Sequence, residues 1–98
     1  MKITKTQNAG TMTIALQGRL DTTTAPELET EVKASLDGAS ELILDMEQLD
    51  YISSAGLRVL LSAQKAMTKK GGMKVIHVNE TVMEIFEVTG FSDILDIE

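Results

Sequence analysis

The sequence predicts an α/β protein: a mixed sheet of four or five strands with three to four helices lying mainly on one face. Three features lead there. Met12, Ile14 and Leu16 alternate with Thr13, Ala15 and Gln17, the period of a strand with one buried face. The apolar strings Glu41 to Met46 (ELILDM) and Met73 to Val78 (MKVIHV) have strand length and flank a long segment of helical period that opens near Ser54. Strand, helix and strand in that order form a crossover unit, which makes the two strands parallel and the connection right-handed. The half-polar strand from Thr11 to Gly18 suits an open sheet face, so the helices belong on the other.

Taken in order, Lys2 to Thr6 reads as a short strand, and Asn8-Ala9-Gly10 supplies the turn into Thr11 to Gly18, giving a hairpin. Asp21-Thr22-Thr23-Thr24 offers capping groups and Pro26 suits a first helical turn. Leu28, Val32 and Leu36 then recur at helical spacing up to Gly38, with Glu27, Glu29 and Glu31 near the positive end of the dipole. In the long helix, Leu57, Leu60, Leu61 and Gln64 or Met67 form the expected sheet-facing stripe, and Gly71-Gly72 ends it. Asn79-Glu80-Thr81 caps a third helix carrying Val82, Ile85 and Phe86 and stopping at Gly90, and Asp93 to Ile97 has the composition of an edge strand.

With 98 residues the chain has room for one domain, spanning 1–98, and for one functional surface. Hydrophobic residues make up 43% and charged residues 24%, which fits a soluble globular protein and excludes compositional disorder. A net charge of -6 repels nucleic acid and anionic membranes, and the one basic cluster, Lys65, Lys69 and Lys70, complements the end of a helix dipole. Cysteine is absent, no apolar run reaches membrane-spanning length, and Met1-Lys2-Ile3-Thr4-Lys5 lacks the apolar core of a signal peptide, so the expected location is the cytoplasm.

Enzymatic chemistry lacks its parts. The one histidine, His77, falls inside a predicted strand, and no glycine-rich phosphate loop opens a helix, so neither a catalytic centre nor a bound cofactor is expected. Asp21, Asp45 and Asp50 near strand ends suggest a divalent-ion site or an aspartyl-phosphate receiver, but loop carboxylates are ordinarily solvated. A receiver also alternates strand and helix from its start, whereas this chain opens with a hairpin. No metal is expected.

The informative string is Leu49-Asp50-Tyr51-Ile52-Ser53-Ser54-Ala55-Gly56-Leu57, which puts two hydroxyls and a glycine where a helix begins. N–H groups of a first helical turn lack intrahelical partners and carry the positive end of the dipole, so a phosphate is tolerated there. The same string is also an ordinary N-cap.

Together with Gly18-Arg19-Leu20-Asp21, Leu42-Ile43-Leu44-Asp45 and Val88-Thr89-Gly90-Phe91, this string resembles the STAS domain family over essentially the whole chain, and within it the small single-domain anti-sigma factor antagonists of bacteria. The resemblance implies that Ser54 is phosphorylated by an anti-sigma factor that is also a serine kinase, that the unphosphorylated form binds this partner and frees a sigma factor, and that a PP2C-type serine phosphatase reverses the mark. It further implies a partner surface made of Asp21, Thr22, Ser53, Ser54, Gly56 and Leu57, with Gly56 and Leu57 in an exposed first turn. Many relatives have aspartate where this chain has Ser53, which leaves Ser53 as the competing acceptor. For three of these residues local chemistry also allows a purely structural role: Asp21 as a turn cap, Gly56 as relief of crowding and Leu57 as core. The alternative function is an accessory or regulatory subunit of a lipid-transport ATPase or anion transporter, which carries no phosphoswitch.

Overall fold

The computed structural model describes residues 1–98. Its chain order is β1 (Lys2–Asn8), β2 (Thr11–Leu20), α1 (Ala25–Leu36), β3 (Glu41–Ile52), α2 (Ser54–Thr68), β4 (Met73–Ile76) and α3 (Glu80–Thr89), followed by a short 3-10 turn at Phe91–Asp93. The four strands form one sheet in the order β1-β2-β3-β4. β1 and β2 are the expected antiparallel hairpin, and β2 to β3 and β3 to β4 are both parallel. The mixed sheet is therefore built from one hairpin and two successive crossovers, through α1 and through α2.

Inward side chains fall on one face. Met12, Ile14, Leu16 and Leu20 of β2, Leu42, Leu44, Met46, Leu49 and Ile52 of β3, and Met73 and Val75 of β4 are all buried in one core with residues from all three helices. The intervening Thr11, Thr13, Ala15, Ile43, Asp45 and Lys74 remain only half-buried. β3 runs six residues past Met46, where its simple alternation breaks. The register with β2 slips between Ala15 and Gln17 and again between Gly18 and Arg19, each time taking one extra β3 residue. These two bulges return Leu49 and Ile52 to the core face. Gly18 beside the second slip has φ of 105°, which glycine alone adopts without a steric penalty.

The stripe of α2 differs from the sequence expectation. Leu57, Leu60 and Met67 are buried, but they are joined by Gly56, Val59 and Ala63, whereas Leu61 and Gln64 are only half-buried. α2 lies against α1 as well as against the sheet, and Val59 and Ala63 border α1 at Val32. The expected edge strand near the end is a single bridge between Val75 and Ile97, because Phe91–Asp93 turns in a 3-10 helix first. α3 matches its expected caps: the Asn79 side chain accepts from the Val82 N–H at 2.9 Å, and Gly90 takes the left-handed conformation at φ 82°. Asn79 Nδ2 also donates to the Leu49 carbonyl at 2.7 Å, tying the start of α3 to the extension of β3.

Parallel strands send their helices off from the same end of the sheet. β2 and β3 finish side by side, with Leu20 paired to Ile52 and the Ser53 N–H bonded to the Leu20 carbonyl at 2.8 Å. α2 then begins directly over that pair. A β-carbon on Gly56 would lie 2.7 Å from Leu20 Cγ and 2.9 Å from Ile52 Cγ1, both in side chains held in the core. Gly56→Ala is expected to destabilise the fold by about 1 to 2 kcal/mol, as overpacking outweighs the roughly 1 kcal/mol that alanine gains in helix propensity. Urea unfolding measures it. A variant more stable than the parent would mean that α2 does not rest on this pair.

Candidate functional site

The carboxyl end of the sheet presents two short structures next to each other: the loop after β2 and the first turn of α2. Asp21 organises the loop. Its Oδ1 accepts from the N–H groups of Thr23 at 3.0 Å and Thr24 at 3.1 Å. In return the Asp21 N–H donates to Thr24 Oγ1 at 2.8 Å, and the Thr24 hydroxyl donates to the Arg19 carbonyl at 2.8 Å. The Thr24 N–H above all, then the Thr23 N–H, the Thr24 hydroxyl and the Arg19 charge, hold the Asp21 carboxyl below the usual carboxylate range against a smaller opposing cost of burial. Arg19 Nε is 3.8 Å from Asp21 Oδ2, and its guanidinium lies 4.4 Å from the centre of the Tyr51 ring. Asp21 is thus a turn cap with one carboxylate edge facing out, and Thr22 beside it is exposed.

The serine pair divides its labour. Ser53 is the N-cap of α2, extended at φ -98° and ψ 175°, and its hydroxyl accepts from the Gly56 N–H at 3.4 Å. Ser54 is the first helical residue and is exposed. The Leu57 N–H closes the turn on the Ser53 carbonyl at 2.9 Å, so the Ser54 and Ala55 N–H groups precede the first intrahelical bond and carry the positive end of the dipole. Gly56 and Leu57 do not form an exposed turn: Gly56 is buried over Leu20, and Leu57 is only 6% exposed in the core. Their side of the helix supports the surface from below. Ser54, half-buried Ala55 and Arg58 are what the first turn offers to solvent. Thr22, Ala55 and Arg58 line one shallow groove with Pro26 and Glu29, which joins the loop after β2 to the start of α2. Arg58 was not legible as part of the site, although its spacing of four from Ser54 was the available signal.

The acidic trio does not assemble. Asp21 is engaged in its own loop, and Asp45 meets His77 instead, with Asp45 Oδ1 3.0 Å from His77 Nδ1. His77 lies just beyond β4 in a left-handed conformation at φ 58°, not within the strand. Asp45, Glu47 and His77 bring one ligand atom each within 4.8 Å of the others. Glu47 and His77 are exposed, and the Asp45–His77 hydrogen bond at the surface accounts for the geometry.

Because the folded-state pKa of Asp21 is depressed, its contribution to stability is present above the unfolded value near 3.9 and is lost as pH falls through the lower folded value. Asp21→Ala is therefore expected to lower stability near neutral pH and to narrow its gap to the parent as the medium becomes strongly acidic. Thermal unfolding at stepped pH measures this, and a gap that stays constant into strong acid would contradict the assignment.

Comparison with known proteins places the chain in a family. The chain is 37% identical to the candidate anti-sigma factor antagonist BtrV of Bordetella bronchiseptica, over 99% of this chain and 85% of that protein. A crystal structure of an anti-sigma factor antagonist from Mycobacterium paratuberculosis superimposes with a TM-score of 0.89 at 22% identity, covering 98% of this chain and 83% of the other. The anti-sigma factor antagonist SpoIIAA in its unphosphorylated form gives a TM-score of 0.78 at 15% identity, over 99% and 87% of the two chains. SpoIIAA from Bacillus is also known in a phosphorylated form, with a TM-score of 0.77 at 16% identity over 99% and 91%. The STAS domain model matches residues 2–98, and with this sheet, this helix start and these relatives the chain belongs to the STAS domain family.

Proposed function

We propose that the protein is an anti-sigma factor antagonist whose partner surface is switched by phosphorylation of Ser54. The observation that carries this reading is the exposed Ser54 hydroxyl at the first position of α2, free of the capping role that Ser53 performs. The relatives' names supply the partner class, an anti-sigma factor. In the unmodified state Asp21, Thr22, Ser53 and Ser54 form the docking surface, with Gly56 and Leu57 holding it in place from within. The anti-sigma factor acts as a serine kinase on Ser54, and a PP2C-type serine phosphatase restores the hydroxyl. The chain itself is a substrate and a binding partner without turnover of its own, working in the cytoplasm. No helix is long and apolar enough to cross a membrane.

Phosphate adds about -1.5 to -2 charge. At the helix start it meets unpaired N–H groups and the favourable end of the dipole, so the fold accommodates it. At the centre of a docking surface the same charge must be stripped of water without enough cationic partners, which costs several kcal/mol. The switch acts on the surface and leaves the core alone.

Incubation with the cognate kinase and ATP, followed by phosphopeptide mapping, is expected to place the mark on Ser54 alone. Modification confined to Ser53 or to Thr22, Thr23 and Thr24 would overturn the assignment. Ser54→Ala is expected to stay within about 0.5 kcal/mol of parental stability, since Ser53 is the cap, and to bind the anti-sigma factor while resisting the kinase. Ser54→Asp is expected to bind at least about thirtyfold more weakly, from a buried unpaired charge worth about 2 kcal/mol or more. Calorimetric titration compares the three forms, and equal affinities would place Ser54 outside the interface.

A further inference from the structure

Arg58 lies one helical turn beyond Ser54 on α2, and both residues are exposed. Side chains four apart share a helix face with β-carbons about 5 to 6 Å apart. Each Cα–Cβ bond on a helix tilts toward the N-terminus, so an arginine at the fifth position leans back over the first. Arg58 lines the groove with Thr22, Pro26, Glu29 and Ala55, and from there its long side chain can swing over the Ser54 position one turn back.

The other charges nearby are already matched. Of the two arginines in the chain, Arg19 is held by Asp21 and by the face of Tyr51. Glu29, the acid that shares the groove, pairs with Lys33 at 3.9 Å. Arg58 enters no ion pair. A protein of net charge -6 thus keeps one unpaired guanidinium a single turn from the exposed hydroxyl.

We propose that Arg58 is the intramolecular counter-ion of a phosphate on Ser54, an inference that rests on the reading of Ser54 as the phosphoacceptor. The planar guanidinium donates to the phosphate oxygens with charge-assisted hydrogen bonds. Modification then does two things at once: it adds the dianion, and it withdraws the one free arginine from the docking surface. A partner carrying an acidic group opposite Arg58 loses that contact in the same step in which it meets the new negative charge.

The test uses phosphoserine encoded genetically at position 54, so that no kinase is required. Phosphorus NMR follows the second ionisation of the phosphate, ordinarily near pH 6, in the full chain with Arg58, with Arg58→Lys and with Arg58→Gln. The amides of the helix start and the neighbouring acids Asp21 and Glu29 act on the phosphate in every variant, so the difference isolates the guanidinium. Arg58→Gln is expected to raise this pKa by about 0.3 to 0.5 unit at low salt, and Arg58→Lys to recover part of the shift. The difference shrinks in about 1 M salt, where screening acts within about 3 Å. Circular dichroism checks that all three remain folded. Identical phosphate pKa values in the parent and in a folded Arg58→Gln variant would overturn the proposal. If Arg58 shifts the phosphate but the encoded phosphoserine leaves affinity for the anti-sigma factor unchanged, the counter-ion stands and the switch falls.

Discussion

The close seat of α2 on the paired ends of β2 and β3 organises everything else. A glycine at position 56 lets the helix backbone approach Leu20 and Ile52 to a distance that a methyl group would prevent. Leu20 and Ile52 are themselves register partners, and the Ser53 N–H bonds the Leu20 carbonyl. One contact therefore fixes the height of the helix start, the end of both parallel strands and the departure point of the loop that Asp21 closes. Any movement of α2 along its axis would be felt in all three, because packed cores resist small displacements.

On that base the surface is arranged by local hydrogen bonding. Ser53 commits its hydroxyl to the cap and Asp21 commits one carboxylate oxygen to two amides, so both are fixed in position. Ser54 and Arg58 are the exposed groups left uncommitted at the first turn. The division matters for a switch. A hydroxyl that caps a helix cannot be modified without disturbing the cap, whereas one just inside the helix receives charge where the dipole favours it. Chemistry at the surface and rigidity beneath it are compatible for this reason.

Features governed by neighbours in sequence were legible in the sequence. Asn79 and Gly90 bound α3 through their own side-chain and backbone preferences, and the alternation of Met12, Ile14 and Leu16 marked the buried face of β2. Features governed by distant neighbours were not. The period of β3 is lost after Met46 because two bulges, defined only against β2, interrupt it. Val59 and Ala63 belong to the core because α1 lies there, a fact absent from the helical period of α2 alone. The same distinction holds in the site. The string Tyr51 to Leu57 located the helix start and the helical period turned Leu57 toward the sheet, but the close seat of Gly56 depended on Leu20 in another strand. The availability of Arg58 emerged only once Asp21 and Lys33 had taken the other charges.

With Ser54 as the phosphoacceptor, the site is a rigid platform on which a phosphate changes surface charge without changing the fold. Two-dimensional amide NMR of the unmodified protein and of the form carrying phosphoserine at position 54 tests this most directly. Shifts are expected to be confined to residues 21–24, the first two turns of α2 and the groove between them, with β1, β4 and α3 unmoved. Shifts spread through those distant elements, or loss of signals along α2, would show that the modification rearranges the core and would contradict the rigid platform.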